Sequence, residues 1–239
     1  RPQDHVLGAE ARAGELGDIR RVVVIYLQDW LSQAADTKGS KQATWRTDAS
    51  VGGESGAFAD IGTHAFNLVE FITGQQMTEV AAELKTVVED RDIDDDGAAM
   101  FRLQNGSAGL LAASQVCTGA VNGLRIEIYG DKGSLHWSHG DPNTLTIGRR
   151  GDPDQVISPG NNIAYLSDAA RSRCRTPGGH PEGFIEAFSN LYVDFAAAVR
   201  AFPEPTDNIC ATVEDGVRAM RFVRATITST NNGSQWTSI

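Results

Sequence analysis

Asp60 and His64 stand four residues apart in Gly53-Glu54-Ser55-Gly56-Ala57-Phe58-Ala59-Asp60-Ile61-Gly62-Thr63-His64, a glycine-containing approach that leads into a helical pattern running to Ile72. At about 100° per residue, Asp60, His64, Asn67 and Phe71 share one narrow stripe of that helix. Phe58, Ile61, Ala65, Leu68 and Ile72 share another, a quarter-turn or more away, so the acid and the imidazole flank the buried face. A carboxylate one turn before a histidine can raise the imidazole pKa and fix its tautomer. A histidine held in that way can take a proton from a substrate hydroxyl. The same spacing also describes a plain helix-surface pair worth a few tenths of a kcal/mol. Zinc would need a third protein ligand, and no nearby His or Cys presents one at helical spacing, so no metal is expected.

Three further groups have the chemistry of a site. Trp30, Trp45 and Arg46 belong to a polar stretch between Trp30 and Gly56 that contains Gly39, Gly52 and Gly53 and reads as one long loop. Aromatic faces and a guanidinium suit a polyhydroxylated ring, although both tryptophans would serve equally to pack the loop down. In Gly179-His180-Pro181-Glu182-Gly183-Phe184 a histidine precedes a proline that opens a helix, a region suited either to capping or to holding a polar ligand. Asp92-Ile93-Asp94-Asp95-Asp96-Gly97 imitates the first half of a calcium loop, but the twelfth position, which needs Glu, is Leu103. A solvated acidic turn between two strands is the reading.

The elements that must position these residues follow from periodicity. A short helix is expected from Asp4 to Glu15, ended by Gly17, and then a buried strand from Ile19 to Leu27. Alternation from Val80 to Val88 and from Leu124 to Ile128 marks strands with one polar face. Ala98 to Leu103 and Ala108 to Val116 form a hairpin through Gln104-Asn105-Gly106-Ser107, and Gly130-Asp131-Lys132-Gly133 gives another tight reversal. Two helices follow, one with an apolar stripe of Phe184, Phe188, Leu191, Phe195 and Val199. The other has a sparser stripe of Val213, Val217, Met220 and Ile227 and is opened by Thr212 with Asp215 three residues on. Ser229 to Ser234 reads as a turn or loosely held tail. The fold class expected is α+β, a mainly antiparallel open sheet with helices on one face, in a single domain spanning residues 1–239.

A net charge of -10 on 239 residues disfavours phosphate backbones and anionic lipid, so neither nucleic acid nor membrane is an expected partner. Cys117, Cys174 and Cys210 lack paired metal spacing and disulfide density, which fits a reducing cytoplasm. No apolar run approaches a bilayer span, and a chain starting Arg1-Pro2-Gln3 reads as cut from something longer.

Gly14-Glu15-Leu16-Gly17-Asp18-Ile19, Trp45-Arg46, Asp60-Ile61-Gly62-Thr63-His64 and Gly130-Asp131-Lys132-Gly133-Ser134-Leu135 occur in that order. Together they resemble the C-terminal domain of the glucose-fructose oxidoreductase, inositol dehydrogenase and rhizopine-catabolism (Gfo/Idh/MocA) family, over nearly the whole chain. The resemblance implies NAD or NADP as hydride acceptor from a sugar or cyclitol hydroxyl. It places the family's Asp and His on Asp60 and His64 and a substrate contact on His180, since a His-Pro-Glu segment leads this helix in a sugar-acting subset; Trp30 and Arg46, by their chemistry, and Asn67, on the stripe of Asp60 and His64, complete the expected substrate contacts. It also implies a homo-dimer or homo-tetramer formed through the sheet. The family's Glu-Lys-Pro lysine and the Gly-x-Gly-x-x-Gly turn are absent from the 239 residues. A separate Rossmann domain is therefore expected to bind the cofactor, and the isolated chain is expected to be inactive. The rival expectation is a non-catalytic oligomerisation or ligand-binding regulatory domain of the same fold.

Overall fold

A computed structural model describes residues 16–33, 41–159, 164–204 and 210–239. The expected helix from Asp4 to Glu15 lies outside them, as do Gly14, Gly39 and residues 34–40 of the long loop. The framework is a nine-stranded sheet in the order β8-β7-β6-β5-β1-β4-β3-β2-β9. Its strands are β1 (Ile19–Leu27), β2 (Met77–Lys85), β3 (Asp96–Leu103), β4 (Ala108–Ser114), β5 (Gly123–Gly130), β6 (Ser134–Ser138), β7 (Asp141–Gly148), β8 (Gln155–Ile157) and β9 (Thr237–Ser238). Every neighbouring pair is antiparallel except β1 and β4, which run parallel with Val22 opposite Gly109 and Tyr26 opposite Ala113. The chain is thus α+β, as its periodicity implies.

Alternation decides which side chains enter the core. Val22, Val24 and Tyr26 of β1, Phe101 of β3, Leu111 of β4 and Ile126 and Ile128 of β5 are buried on one face. That face is covered by α3 (Thr63–Thr73) and α6 (Val213–Asn231). Phe222 of α6 stacks on Phe66 of α3 with ring centroids 4.7 Å apart, and Arg218 of α6 grips the Glu70 carboxylate through Nε (3.0 Å) and Nη2 (2.6 Å). Thr212 and Asp215 cap α6 reciprocally.

Several expectations are corrected. The stretch from Trp30 to Gly56 is not one loop, for it holds two short helices, α1 (Lys41–Thr47) and α2 (Ala49–Gly52). The strand expected to reach Val88 stops at Lys85, because the Asp95 carboxylate takes the Val87 and Val88 N–H groups at 2.7 and 3.0 Å. The acidic turn is solvated only in part, Asp92 being exposed. Asp94 and Asp95 are buried, Asp95 bonding Arg91 Nη1 at 2.9 Å inside the protein. On α6 the stripe expected to be buried is mostly outside, since Val213, Val217 and Met220 are exposed while Phe222, Val223, Ala225, Thr226 and Ser229 face inward. The hydroxyls explain the inversion. Ser229 Oγ accepts from Ala82 N–H and Thr230 Oγ1 from Leu84 N–H, so polar helix residues satisfy the backbone of β2. Of Ser229 to Ser234, residues up to Asn231 belong to the last turn of α6, and residues 232–234 form a turn that leads to β9 against β2.

Candidate active site

The segment carrying Asp60 and His64 is set in place by Asp94. Its carboxylate accepts from the N–H groups of Gly56 (2.9 Å) and Phe58 (3.0 Å), and its carbonyl accepts from Ala57 N–H (2.9 Å). A Cβ on residue 56 would lie 2.2 Å from that carbonyl oxygen, so the close approach requires glycine. Burial pushes the Asp94 carboxyl above its ordinary pKa, with the Phe58 and Gly56 N–H groups pulling the other way.

From there the chain does not enter an α-helix directly. Phe58–Gly62 is a π-helical turn, closed by the Thr63 N–H to the Phe58 carbonyl, and α3 follows. Bonds from i to i+5 widen the turn beyond 3.6 residues, so residues four apart no longer stack, and such turns are frequent at functional sites. The expected contact between Asp60 and His64 is accordingly not made. Asp60 Oδ2 instead accepts from Gln115 Nε2 (2.7 Å) and Arg46 Nε (3.2 Å). Arg46 in turn lies over the rings of Trp45 (4.2 Å) and Trp30 (5.6 Å), which brings Trp30, Arg46 and Asp60 into one cluster.

His64 and Asn67, both exposed on α3, line a cavity of about 400 Å³ with Tyr26, Asn122, His139 and Leu124. This is within the range of small-molecule sites. The Tyr26 and His64 rings are 6.3 Å apart. His64 has no hydrogen bond or ion pair with a described residue. One polar chain runs along the wall: Trp30 Nε1–H donates to Gln28 Oε1 (2.9 Å), Gln28 Nε2–H to Asn122 Oδ1 (2.9 Å), and the Tyr26 hydroxyl to the same Oδ1 (2.5 Å). It links the Trp30 cluster to the cavity.

The opposite wall is α5 (Phe184–Ala201), which contributes Phe184, Ala187, Phe188 and Leu191. Its apolar stripe, expected to be core, is exposed, whereas Asn190 and Asp194 are buried. Asp194 pairs with Arg173 at 2.7 Å, and Asn190 Oδ1 accepts from Arg175 Nε at 2.8 Å. Polar anchoring below leaves the phenylalanines facing the cavity and solvent. His180 lies outside the cavity-lining set and does not open the helix. It closes a turn onto the Pro177 carbonyl, and α5 begins at Phe184, with Gly183 N–H donating to Glu186 Oε2. The short α4 (Asp168–Arg171) is capped by Ser167 Oγ.

Sequence reasoning thus found His64 and Asn67 on the cavity and Trp30, Arg46 and Asp60 beside it, and missed Tyr26, Asn122, His139, Gln28 and Gln115. Tyr26 and Gln28 sit at the end of β1, and Asn122 and His139 lie in connections, where only tertiary folding brings them together. No group of described residues has the make-up of a metal site, and no described helix is long and apolar enough to cross a membrane.

The chain is 29% identical over 230 residues, 93% of its length, to the uncharacterized oxidoreductase YfiI of Bacillus subtilis, and spans 58% of that protein. It is 28% identical over 179 residues to the levoglucosan dehydrogenase of Pseudarthrobacter phenanthrenivorans, covering 65% of the chain and 44% of the enzyme. An inositol dehydrogenase homolog from Azotobacter vinelandii, solved with NAD+, superposes with a TM-score of 0.91 at 27% identity over all of this chain and 62% of its own. The chain therefore spans about three fifths or less of the proteins it matches. The family model for the GFO/IDH/MocA C-terminal domain matches residues 9–136, more than half of the 239, and the chain belongs to that family.

Proposed function

We propose that this chain is the substrate side of a nicotinamide-dependent oxidoreductase that oxidises a hydroxyl of a sugar or cyclitol. The observation that carries the reading is His64, an exposed imidazole with no hydrogen bond among the described residues, on the wall of a cavity of about 400 Å³ that mixes polar and aromatic groups. Phe184, Phe188 and Leu124 suit the C–H faces of a saturated ring, and Tyr26, Asn67, Asn122 and His139 suit its hydroxyls. His64 takes the proton of the reacting hydroxyl on a ring nitrogen. Asp60 acts one step back: its carboxylate holds Arg46, and with it the two tryptophans, in the cluster that Gln28 joins to the cavity wall. Trp30 is tied to the cavity wall through Gln28 and Asn122, Asn67 offers a carboxamide beside His64, and His180 serves the turn that leads α5 to the cavity.

NAD or NADP, when bound, supplies the hydride acceptor. The residues here fit the substrate side of that pairing, since no glycine-rich strand-to-helix turn among the described residues could cradle a pyrophosphate. Residues 1–239 then act as one substrate-binding domain beside a dinucleotide-binding one. The sheet face away from α3 and α6 carries half-exposed Met100 and Leu110 opposite each other, which supports self-association through the sheet. The test is NADH or NADPH formation by the chain joined to a dinucleotide-binding domain, on a panel including myo-inositol and levoglucosan. Oxidation of cyclic polyols is expected, and turnover confined to acyclic or non-hydroxylated compounds would refute the reading.

A further inference from the structure

Asn122 is a non-glycine residue in the left-handed region, with φ of 49°, in the connection between β4 and β5, and it lines the cavity. Asn tolerates that conformation better than most residues, and such backbone positions gather at ligand clamps. The orientation of its carboxamide can be deduced from chemistry alone. An indole N–H only donates, so the atom of Gln28 facing Trp30 Nε1 must be Oε1. The other arm of Gln28, its NH2, then faces Asn122 and can only donate, so the atom it meets must be Oδ1. The Tyr26 hydroxyl, 2.5 Å from the same oxygen, must donate as well. Oδ1 is thus saturated by two donors from the wall, while Nδ2 has no partner among the described residues. A partly buried amide with two unmatched N–H groups beside an open cavity is poised for an acceptor oxygen.

We propose that Asn122 is a specificity-determining residue, its Nδ2–H groups donating to an oxygen of the bound polyhydroxylated substrate, with Gln28 and Trp30 as the positioning residues that fix its orientation. The proposal rests on the substrate-side reading above and deepens it. A rigid donor pair selects ring isomers that place an oxygen at that point, because an isomer lacking it leaves the amide unpaired in the complex. Trp30 then acts on substrate through Gln28 and Asn122 instead of by stacking alone.

The test is a titration of the 15N-labelled chain with myo-inositol and, separately, levoglucosan, following side-chain resonances by NMR. The Asn122 NH2 pair is identified by its disappearance in Asn122→Asp, a change that keeps an acceptor for Tyr26 and Gln28 and suits the left-handed backbone. Expected is movement of that NH2 pair together with the His64 ring signals, and an affinity lower by about threefold or more in Trp30→Phe, which removes the N–H that sets the chain's polarity. If the His64 signals move while the Asn122 pair stays still, the assignment of Asn122 fails and the substrate-side reading survives. If neither moves with either probe, both fail.

Discussion

Two helices face each other across the cavity and are held by opposite means. The π turn and α3 bury Phe58, Ile61, Ala65, Phe66, Val69 and Ile72 against the sheet and α6, leaving His64 and Asn67 outward. Helix α5 buries Asn190 and Asp194 and leaves Phe184, Phe188, Tyr192 and Phe195 exposed. Non-directional apolar packing makes α3 part of the cooperative core. Directional polar bonds fasten α5 at a few points, so the side of the cavity that carries His64 and Asn67 is rigid and the side that bears the apolar wall is separately detachable.

This contrast can be broken or sharpened by substitution. Phe66→Ala removes the ring stacked on Phe222 and should destabilise the whole chain by about 3–5 kcal/mol, read as a lower urea midpoint in one transition. Asp194→Ala leaves the Arg173 guanidinium with a lost partner in a mostly buried place. It should cost about 2–3 kcal/mol, but locally, with hydrogen exchange accelerating in α5 and not in α3. Equal acceleration in both helices would erase the distinction.

Asp94→Asn leaves one acceptor for the Gly56 and Phe58 N–H groups and should cost about 1–2 kcal/mol near neutral pH. Its pH dependence has a defined sign. Burial raises the Asp94 pKa above the ordinary 3.8, so the folded chain holds this proton where the unfolded chain has lost it. The stability attached to this group is greatest below 3.8 and falls as pH rises through the raised folded value, a slope that denaturation at stepped pH should find missing in the Asn variant. The smallest effect is expected from Phe195→Ser on the exposed face of α5, within about 0.5 kcal/mol.

The same contrast explains what was legible in the sequence. Strands β1, β3, β4 and β5 could be read because alternation and the Asn105-Gly106 turn are local signals. Hydrophobic periodicity also located α5, yet misassigned its face, because it cannot register that Arg173 and Arg175, in the segment before the helix, supply partners for Asp194 and Asn190. Likewise the Asp60 and His64 spacing could be seen, but the π turn that separates them, and Gln115 reaching Asp60 from beyond β4, could not. Asp94 looked like a surface acid until its N–H donors were located 36 and 38 residues away.

The central claim is that the imidazole on α3 performs the proton transfer. The most direct test compares kcat for polyol oxidation in His64→Ala and the parent chain, each joined to a dinucleotide-binding domain. A loss of about 100-fold or more with little change in the urea midpoint is expected, since an exposed side chain carries little stability. Activity within about tenfold of the parent, less than the usual contribution of a general base, would contradict the account.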